Sequence, residues 1–418
     1  STYTALQWFV PNSEALHYYE LDHNLETNQE LGQYLKSIDK ESASEIPAKK
    51  LDKNTWVLTV GQTTKILKEI EKYPRCIGDI FDRIFCGLQT SKDDVYFLYE
   101  CLEQNGLITG ESKHLKRRVK IERGLAKPLL KGEDVHRYDN IQTNRYVIFP
   151  YKIENGKAVL YTESELADLF PHGYAYLKEC EKELRNREKG RLRNDDYWFR
   201  YIYPKNLVLF DNEKLVAPDI SMGGNFALDT RGEFYQTTTI YGYIKKSYIQ
   251  ESYKFWMALL NSRLCWWFLS NTGTVLANGF FRFKPDYIKP FPVPENIPNR
   301  IAAVVENLVD YVSFIKSIDK PMSDLVSNKF VLDFFERIID GCIYELYFPQ
   351  HMQEREITIV DSAIRIIKPI SHFSSESDKQ KTIWETFLEI KKTDNPIRDR
   401  LDLFTLRSPE ILKTIIES

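Results

Sequence analysis

A short polar stretch at residues 87–93, Gly-Leu-Gln-Thr-Ser-Lys-Asp, combines groups that can bond base edges or phosphates. These groups are a carboxamide, two hydroxyls and an ammonium, which belong to Gln89, Thr90, Ser91 and Lys92. Gly87 would let the backbone approach a ligand closely. The apolar run at residues 95–99 follows at once, so we expect a loop at the edge of a strand. A plain hairpin turn is the alternative that these residues alone leave open.

Cations cluster at residues 113–123, where six Lys or Arg accompany one Glu. A local excess of this kind is what phosphate contacts need, so Lys116, Arg117 and Arg118 are candidate DNA-binding residues. Residues 178–193 contain seven basic and four acidic residues, and these mixed signs favour an exposed helix.

A glycine turn at residues 131–138 carries two cations and an aromatic ring. Lys131 and Arg137 could both grip phosphates. A solvated salt bridge between Asp134 and Arg137 is the alternative, and such a pair would contribute little.

Aromatic rings and cations alternate at residues 195–205. Tyr197 and Trp198 are candidates for stacking on bases or wedging a distorted duplex, and Lys205 is a candidate phosphate contact. Most rings in this run would instead belong to the core, particularly Phe199 and Tyr201 if the run is a strand.

The bulk composition limits the possible classes of protein. With 418 residues and a formal net charge of −3, the chain can bind DNA only through local patches. Its six cysteines are scattered without metal-ligand spacing, which favours a reducing, cytoplasmic setting. No apolar run approaches the roughly 20 residues of a membrane-spanning helix, and no signal pattern is present. Because the chain begins at Ser1 with a strand-like run, we expect a piece of a longer protein.

The order of patterns predicts an α+β chain, with a mixed α/β recognition domain followed by a mostly helical region. Residues 1–50 contain one strand pattern, a polar stretch and a short helix near residues 28–38. Strand patterns recur in the predicted domain 51–298, at residues 95–99, 146–149, 157–161, 207–210 and 237–243. Helical periodicity dominates the region 299–418, at residues 299–318, 329–347 and 379–390.

The order of these short motifs resembles the TaqI-like C-terminal specificity domain of type II restriction-modification methyltransferases that act on adenine. The resemblance covers roughly residues 77–350 and begins with the stretch at residues 87–93. It also rests on residues 128–138, residues 146–151, Tyr197-Trp198, Pro204-Lys205, residues 259–262 and residues 336–347.

The resemblance implies a division of labour within a longer parent enzyme. This chain would clamp double-stranded DNA, read base edges and help to stabilise the gap left by a flipped base. A missing N-terminal domain would bind S-adenosylmethionine and transfer its methyl group, and residues 1–50 would be the tail of that domain plus a linker. The family uses the region of Arg282 and Lys284 near its substrate, and Arg282 is the preferred base-reading residue.

No catalytic residue, cofactor or metal is predicted for this chain itself. The family's methyl-transfer motif, Asn/Asp-Pro-Pro-Tyr/Phe, is absent, and residues 394–397 lack its second proline and its aromatic ring. Residues 222–225 follow no strand-to-helix pattern, so we do not interpret them as a cofactor loop. Asp219, Asp229 and Glu233 suggest a nuclease site only weakly, because the expected lysine is missing.

The residues leave two other functions open. One is the recognition region of a phage-defence methyltransferase that has no nuclease partner. The other is a protein-interaction scaffold without a DNA role, which the acidic net charge favours. A continuous positive cleft would support DNA binding, whereas dispersed cations would support the scaffold.

Overall fold

The strands are short and lie mainly in the first two thirds of the chain. The structure is a computed structural model that describes residues 15–18, 27–37, 44–47, 61–273, 276 and 279–417, so the strand predicted near residues 2–10 lies outside the described residues. The strands are β1 (Ala15–Tyr18), β2 (Ser44–Pro47), β3 (Arg75–Cys76), β4 (Phe81–Cys86), β5 (Phe97–Gln104), β6 (Leu107–Ser112), β7 (Arg117–Glu122), β8 (Ala126–Leu130), β9 (Tyr146–Ile148), β10 (Tyr151–Glu154), β11 (Lys157–Leu160), β12 (Lys214–Pro218), β13 (Ile220–Ser221), β14 (Ala227–Asp229), β15 (Tyr235–Gln236), β16 (Ile240–Lys245), β17 (Phe281–Arg282) and β18 (Pro292–Val293).

The helices are short in the middle of the chain and long near its end. They are α1 (Asn28–Ser37), α2 (Gly61–Ile70), α3 (Ile77–Ile80), α4 (Asp93–Tyr96), α5 (Glu163–Leu169), α6 (Pro171–Glu179), α7 (Glu181–Arg185), α8 (Arg187–Gly190), α9 (Tyr253–Asn261), α10 (Arg263–Thr272), α11 (Pro285–Ile288), α12 (Asn299–Ser317), α13 (Asn328–Tyr347), α14 (Pro349–Glu354), α15 (Val360–Ile366), α16 (Glu376–Lys391), α17 (Pro396–Arg407) and α18 (Thr414–Ile416). None of these helices is long and apolar enough to cross a membrane.

Two sheets organise the middle of the chain. The larger sheet has the strand order β15-β8-β9-β5-β6-β7, and its β15–β8 pair is parallel. The smaller sheet has the order β14-β12-β16-β4 and is antiparallel. Two-stranded pairs complete the described strands: β1 with β2, β3 with β18, β10 with β11, and β13 with β17.

The larger sheet packs against turn-rich residues 198–210, which carry several buried aromatic rings. Buried hydroxyls in this core have backbone partners, as buried polar groups require. Tyr96 donates to the Phe199 carbonyl at 2.6 Å, and Tyr201 donates to the Ile148 carbonyl at 2.6 Å. These bonds fix residues 198–210 against helix α4 and the larger sheet.

A second, larger core joins the smaller sheet to the helices that follow it. Helix α12 buries one apolar stripe, which includes Val305, Leu308 and Val312. It packs against α13, whose first turn is capped by the Ser327 hydroxyl. Residues from both sides of position 298, such as Trp256 and Phe335, share this core. A domain boundary at that position therefore stays a proposal that limited proteolysis can test.

The predicted fold class, mixed α/β followed by helices, is confirmed. Two of the local predictions are wrong. Residues 207–210 form turns rather than a strand, although Leu207 and Phe210 are buried as a strand would have buried them. Residues 95–99 begin inside helix α4, and strand β5 starts only at Phe97.

Candidate functional site

The stretch at residues 87–93 lines an open cleft of about 590 Å³. The lining brings together the predicted residues Gln89, Thr90, Ser91 and Lys92. It also contains Asp93 and Asp94, and across the cleft Tyr203 and Thr238. The lining has one lysine and two carboxylates, so the cleft itself is not the positive channel that simple phosphate binding would need.

Backbone contacts fix the start of this loop between two other segments. A Cβ atom added at Gly87 would lie 2.0 Å from the Gln236 carbonyl oxygen, so only glycine fits there. The next backbone N–H, from Leu88, donates to the same carbonyl at 2.7 Å. Gln89 forms an isolated antiparallel bridge with Tyr203 while its side chain is exposed. The loop is therefore held rigidly and presents the Gln89 amide outward.

Thr90 supports the loop and is not available to a ligand, because it is fully buried. Its Oγ1 donates to Asp93 Oδ1 at 2.5 Å and accepts from the Lys92 N–H at 3.1 Å. The side chain of Lys92 lies 3.2 Å from Asp94 and 3.9 Å from Glu183. Of the four predicted loop residues, Gln89 therefore has the most accessible polar group.

Arg187 anchors the loop at residues 87–93, a role that no pattern around residue 187 predicts. Its guanidinium is buried and donates to four carbonyls, those of Leu184, Thr90, Trp198 and Arg200, at 2.8–2.9 Å. It also lies 5.4 Å from the ring centroid of Tyr96, whose pKa is raised by burial to about 12. The prediction that residues 178–193 form one exposed helix is therefore wrong at Arg187.

Glu188 joins Ser91 and Tyr203, two residues that line the cleft. Its carboxylate accepts from the Ser91 hydroxyl at 3.3 Å and from the Tyr203 hydroxyl at 2.9 Å. Ser91, Glu188 and Lys189 have φ values of 60°, 47° and 62°, in the left-handed region that non-glycine residues rarely adopt. The surrounding bonds must offset this strain, which is common at functional sites.

The cleft continues into a surface that holds several other predicted residues. Thr239 lies next to Thr238; its carbonyl accepts from the Asp219 N–H at 2.8 Å, and its hydroxyl accepts from the Gly132 N–H at 3.1 Å. The guanidinium of Arg282 lies 3.2 Å from the Asp219 carboxylate. We call this the loop surface, which comprises residues 89–92, 131–132, 203–205 and 237–239 together with Arg282.

Three predicted lysines lie on or beside the loop surface. The Lys131 ammonium lies 5.0 Å from the Tyr99 ring centroid, and the two form a cation–π contact. Lys205 is exposed, and its N–H donates to the Tyr203 carbonyl at 2.8 Å. Lys284 is half-buried at the start of α11, two residues after Arg282.

The basic turn between β6 and β7 lies near the cleft, because His114 is 3.6 Å from Asp94. Lys116 is exposed in this turn with a φ of 53°. Arg117 pairs with Glu179, and Arg118 donates to the carbonyls of Glu100 and Thr109 at 3.0 and 2.9 Å. Of the three predicted cations, Lys116 is therefore the one whose charged group has neither an ion pair nor a side-chain hydrogen bond among the described residues.

Two predicted contact residues, Trp198 and Arg137, have their side chains engaged within the fold. Trp198 is fully buried, so its ring cannot stack on a base in this conformation, whereas its neighbour Tyr197 is 48% exposed. Arg137 donates to the Asn261 carbonyl at 2.7 Å and lies 3.2 Å from Glu336, whose pKa is raised by burial. The guanidinium of Arg137 is therefore engaged by partners within the protein, and the alternative partner, Asp134, pairs with Arg145 instead.

The weak suggestion of a nuclease site has a structural explanation. Asp229 forms a buried ion pair with Lys214 at 2.6 Å, so its carboxylate is not available to a metal ion. Within the described ranges, no three His, Cys, Asp or Glu residues are grouped so that they could hold a metal.

Comparisons with known proteins agree with the pattern of motifs. Residues 127–293 match the family model of the TaqI-like C-terminal specificity domain. The chain is similar to the type II restriction enzyme and methyltransferase RM.Eco57I of Escherichia coli, with 25% identity over 70% of this chain and 30% of that protein. It is also similar to the type II methyltransferase M.XhoI of Xanthomonas vasicola, with 23% identity over 58% of this chain and 40% of that protein.

A solved structure of the type IIL restriction-modification enzyme MmeI in complex with DNA aligns with 76% of this chain and 36% of that chain, at 12% identity and a TM-score of 0.41. The chain spans 30% and 40% of the lengths of the two relatives. Residues 127–293 of this chain are therefore similar to the TaqI-like C-terminal specificity domain, the family that the order of motifs resembles.

Proposed function

We propose that this chain is the DNA target-recognition part of a larger restriction-modification methyltransferase. The observation that carries the proposal is the overlap between the loop surface and the matched domain. Four of the five segments of the loop surface, residues 131–132, 203–205, 237–239 and Arg282, lie within residues 127–293. The fifth segment, residues 89–92, lines the cleft together with Tyr203 and Thr238 of these segments.

The polar groups of the loop surface suit base edges better than phosphates. The exposed Gln89 amide can pair with adenine, and Arg282 is half-exposed and can pair with guanine. Phosphate contacts would come from lysines around the cleft, namely Lys116, Lys131, Lys205 and Lys284. A slightly acidic protein can still bind DNA in this way if its cations are arranged locally.

The methyl transfer itself is assigned to a domain outside this chain. Both relatives are named methyltransferases and are much longer than the matched part. We propose that this outer domain holds S-adenosylmethionine and methylates an adenine that is flipped out of the duplex. The setting is proposed to be the cytoplasm, where the six free cysteines would stay reduced.

Two substitutions separate base reading from phosphate binding. Arg282→Ala should lower discrimination between the preferred and a scrambled duplex on the order of tenfold, because a bidentate base contact is lost. Lys116→Ala should weaken binding to all sequences alike and reduce the slope of log affinity against log salt by about one. Fluorescence anisotropy titrations over a salt series measure both effects.

Lys329→Ala is the matched control, because it removes an exposed cation from α13 in the helical region. It should leave affinity, discrimination and the salt slope unchanged. Equal losses for Arg282→Ala and Lys116→Ala on every sequence would contradict the distinction. An equal loss for Lys329→Ala would indicate binding through overall charge rather than through the loop surface.

A further inference from the structure

Asp93 is a carboxylate that faces the cleft with one oxygen unoccupied. It lines the cleft and is exposed. Its Oδ1 accepts from the Thr90 hydroxyl at 2.5 Å. In the part of the chain that the structure describes, Oδ2 has no hydrogen-bond partner. This oxygen is therefore an acceptor that a ligand in the cleft can reach without breaking a bond within the protein.

Buried groups fix the direction of this carboxylate. Arg187 donates to the Thr90 carbonyl at 2.8 Å, and both side chains are buried. The Thr90 hydroxyl is fixed in turn, because it accepts from the Lys92 N–H and donates to Asp93. An acceptor whose supports are already ordered loses little entropy when it binds, and such preorganisation is what a selective contact needs.

The charges around the cleft define which chemical group can meet Asp93. Lys92 lies 3.2 Å from Asp94, and His114 lies 3.6 Å from the same carboxylate, so both side chains are already partners of Asp94. Among the described residues, Asp93 forms no ion pair of its own. A phosphate beside this carboxylate would be repelled, whereas a neutral N–H donor would be attracted.

A DNA duplex offers such donors at base edges. In the major groove, cytosine presents its N4 amino group and adenine its N6 amino group, and carboxylates accept from cytosine N4. Guanine and thymine present only acceptors in the major groove at the corresponding positions, so Asp93 would disfavour them.

We propose that Asp93 is a specificity-determining residue that accepts a hydrogen bond from the exocyclic amino group of one base in the target, with cytosine preferred over adenine. Thr90 and Arg187 act as positioning residues for it. This inference rests on the proposed function, because it names one base contact of the loop surface.

The test selects duplexes from a randomised pool with the unmodified chain and with Asp93→Asn. The unmodified chain should enrich a motif with a cytosine at one position. Asp93→Asn should lower the preference at that position on the order of tenfold and leave the other positions unchanged. Asp93→Glu keeps the charge but displaces the carboxylate, and it should cause the same local loss. The unfolding midpoint of each variant shows whether the protein is still folded.

Two further variants distinguish base reading from a general effect of charge or loop structure. Thr90→Val removes the hydroxyl that orients Asp93 and keeps the carboxylate, so it should weaken the preference at the same position. Asp94→Asn removes the same charge from the same cleft, but its carboxylate is occupied by Lys92 and His114, so the motif should not change.

The outcomes separate this inference from the proposed function. If the unmodified chain enriches no motif, the proposed function fails, and this inference fails with it. If the unmodified chain enriches a motif that Asp93→Asn and Asp93→Glu leave unchanged, only the inference about Asp93 fails. A motif that changes with Asp94→Asn instead of Asp93→Asn would also overturn it.

Discussion

Replacement of Asp229 by asparagine is expected to lower the free energy of unfolding by about 3 kcal/mol, because it leaves a buried lysine charge without its partner. Lys214 Nζ lies 2.6 Å from Asp229 Oδ2, and the two side chains are 0% and 2% exposed. Burial already lowers the pKa of Lys214, which shows how costly its charge is in this place. Urea unfolding measures the change.

Asparagine keeps the size of the side chain and one of its two acceptor oxygens. Asp229 accepts from the Glu233 N–H through Oδ1 and from the Phe234 N–H through Oδ2, at 3.1 Å each. The loss should therefore combine the missing charge with one lost backbone hydrogen bond. The double variant Lys214→Met with Asp229→Asn should regain much of the stability, since a buried pair can often be replaced by apolar groups at little cost.

The exposed pair of Arg231 and Glu233 provides a control in the same segment. Their side chains are 77% and 53% exposed, so Glu233→Gln should change stability by no more than about 0.5 kcal/mol. A loss below about 1 kcal/mol for Asp229→Asn would contradict the argument from burial. So would a double variant that is less stable than Asp229→Asn alone.

Arg187→Met is expected to lower the free energy of unfolding by about 3 kcal/mol, because buried carbonyls lose their charged donor. The carbonyls of Thr90 and Trp198 belong to two segments that are distant in sequence, the loop at residues 87–93 and the turn-rich residues 198–210. Without the guanidinium, these segments lose their common anchor. We therefore also expect Arg187→Met to reduce discrimination between DNA sequences, on the order of tenfold.

Arg187→Lys is the conservative variant for this test. Lysine keeps the charge but lacks the planar fork of five donors, so it should recover only part of the stability and discrimination. Lys182→Met removes an exposed cation from α7 and should change neither quantity. If Arg187→Met unfolds at the same urea concentration as the unmodified chain, Arg187 does not anchor the loop.

Local sequence patterns were sufficient to predict the main helices of residues 299–418. Helix α13 spans Asn328–Tyr347, close to the predicted residues 329–347, because its apolar residues repeat with helical spacing and Ser327 caps its start. The order of short motifs likewise identified the family that residues 127–293 match. Both signals depend on residues that are near one another in sequence.

The predictions that failed depend on distant partners. Arg187 is buried because it reaches carbonyls on Thr90 and Trp198, and no pattern within residues 178–193 indicates those contacts. The guanidinium of Arg137 likewise pairs with Glu336 on α13, a residue that is distant in sequence. Charge and aromatic content find candidate residues, but only the tertiary packing decides which of them face outward.

The central claim is that the loop surface reads DNA sequence. It is tested most directly by binding of the unmodified 418-residue chain to a randomised duplex pool at low and moderate salt, with sequencing of the retained DNA. We expect one short motif to be enriched at both salt concentrations, with an affinity that falls as salt rises. Retention of all sequences alike would contradict target recognition by this chain. No binding at either salt concentration would favour the alternative function, a protein-interaction scaffold without a DNA role.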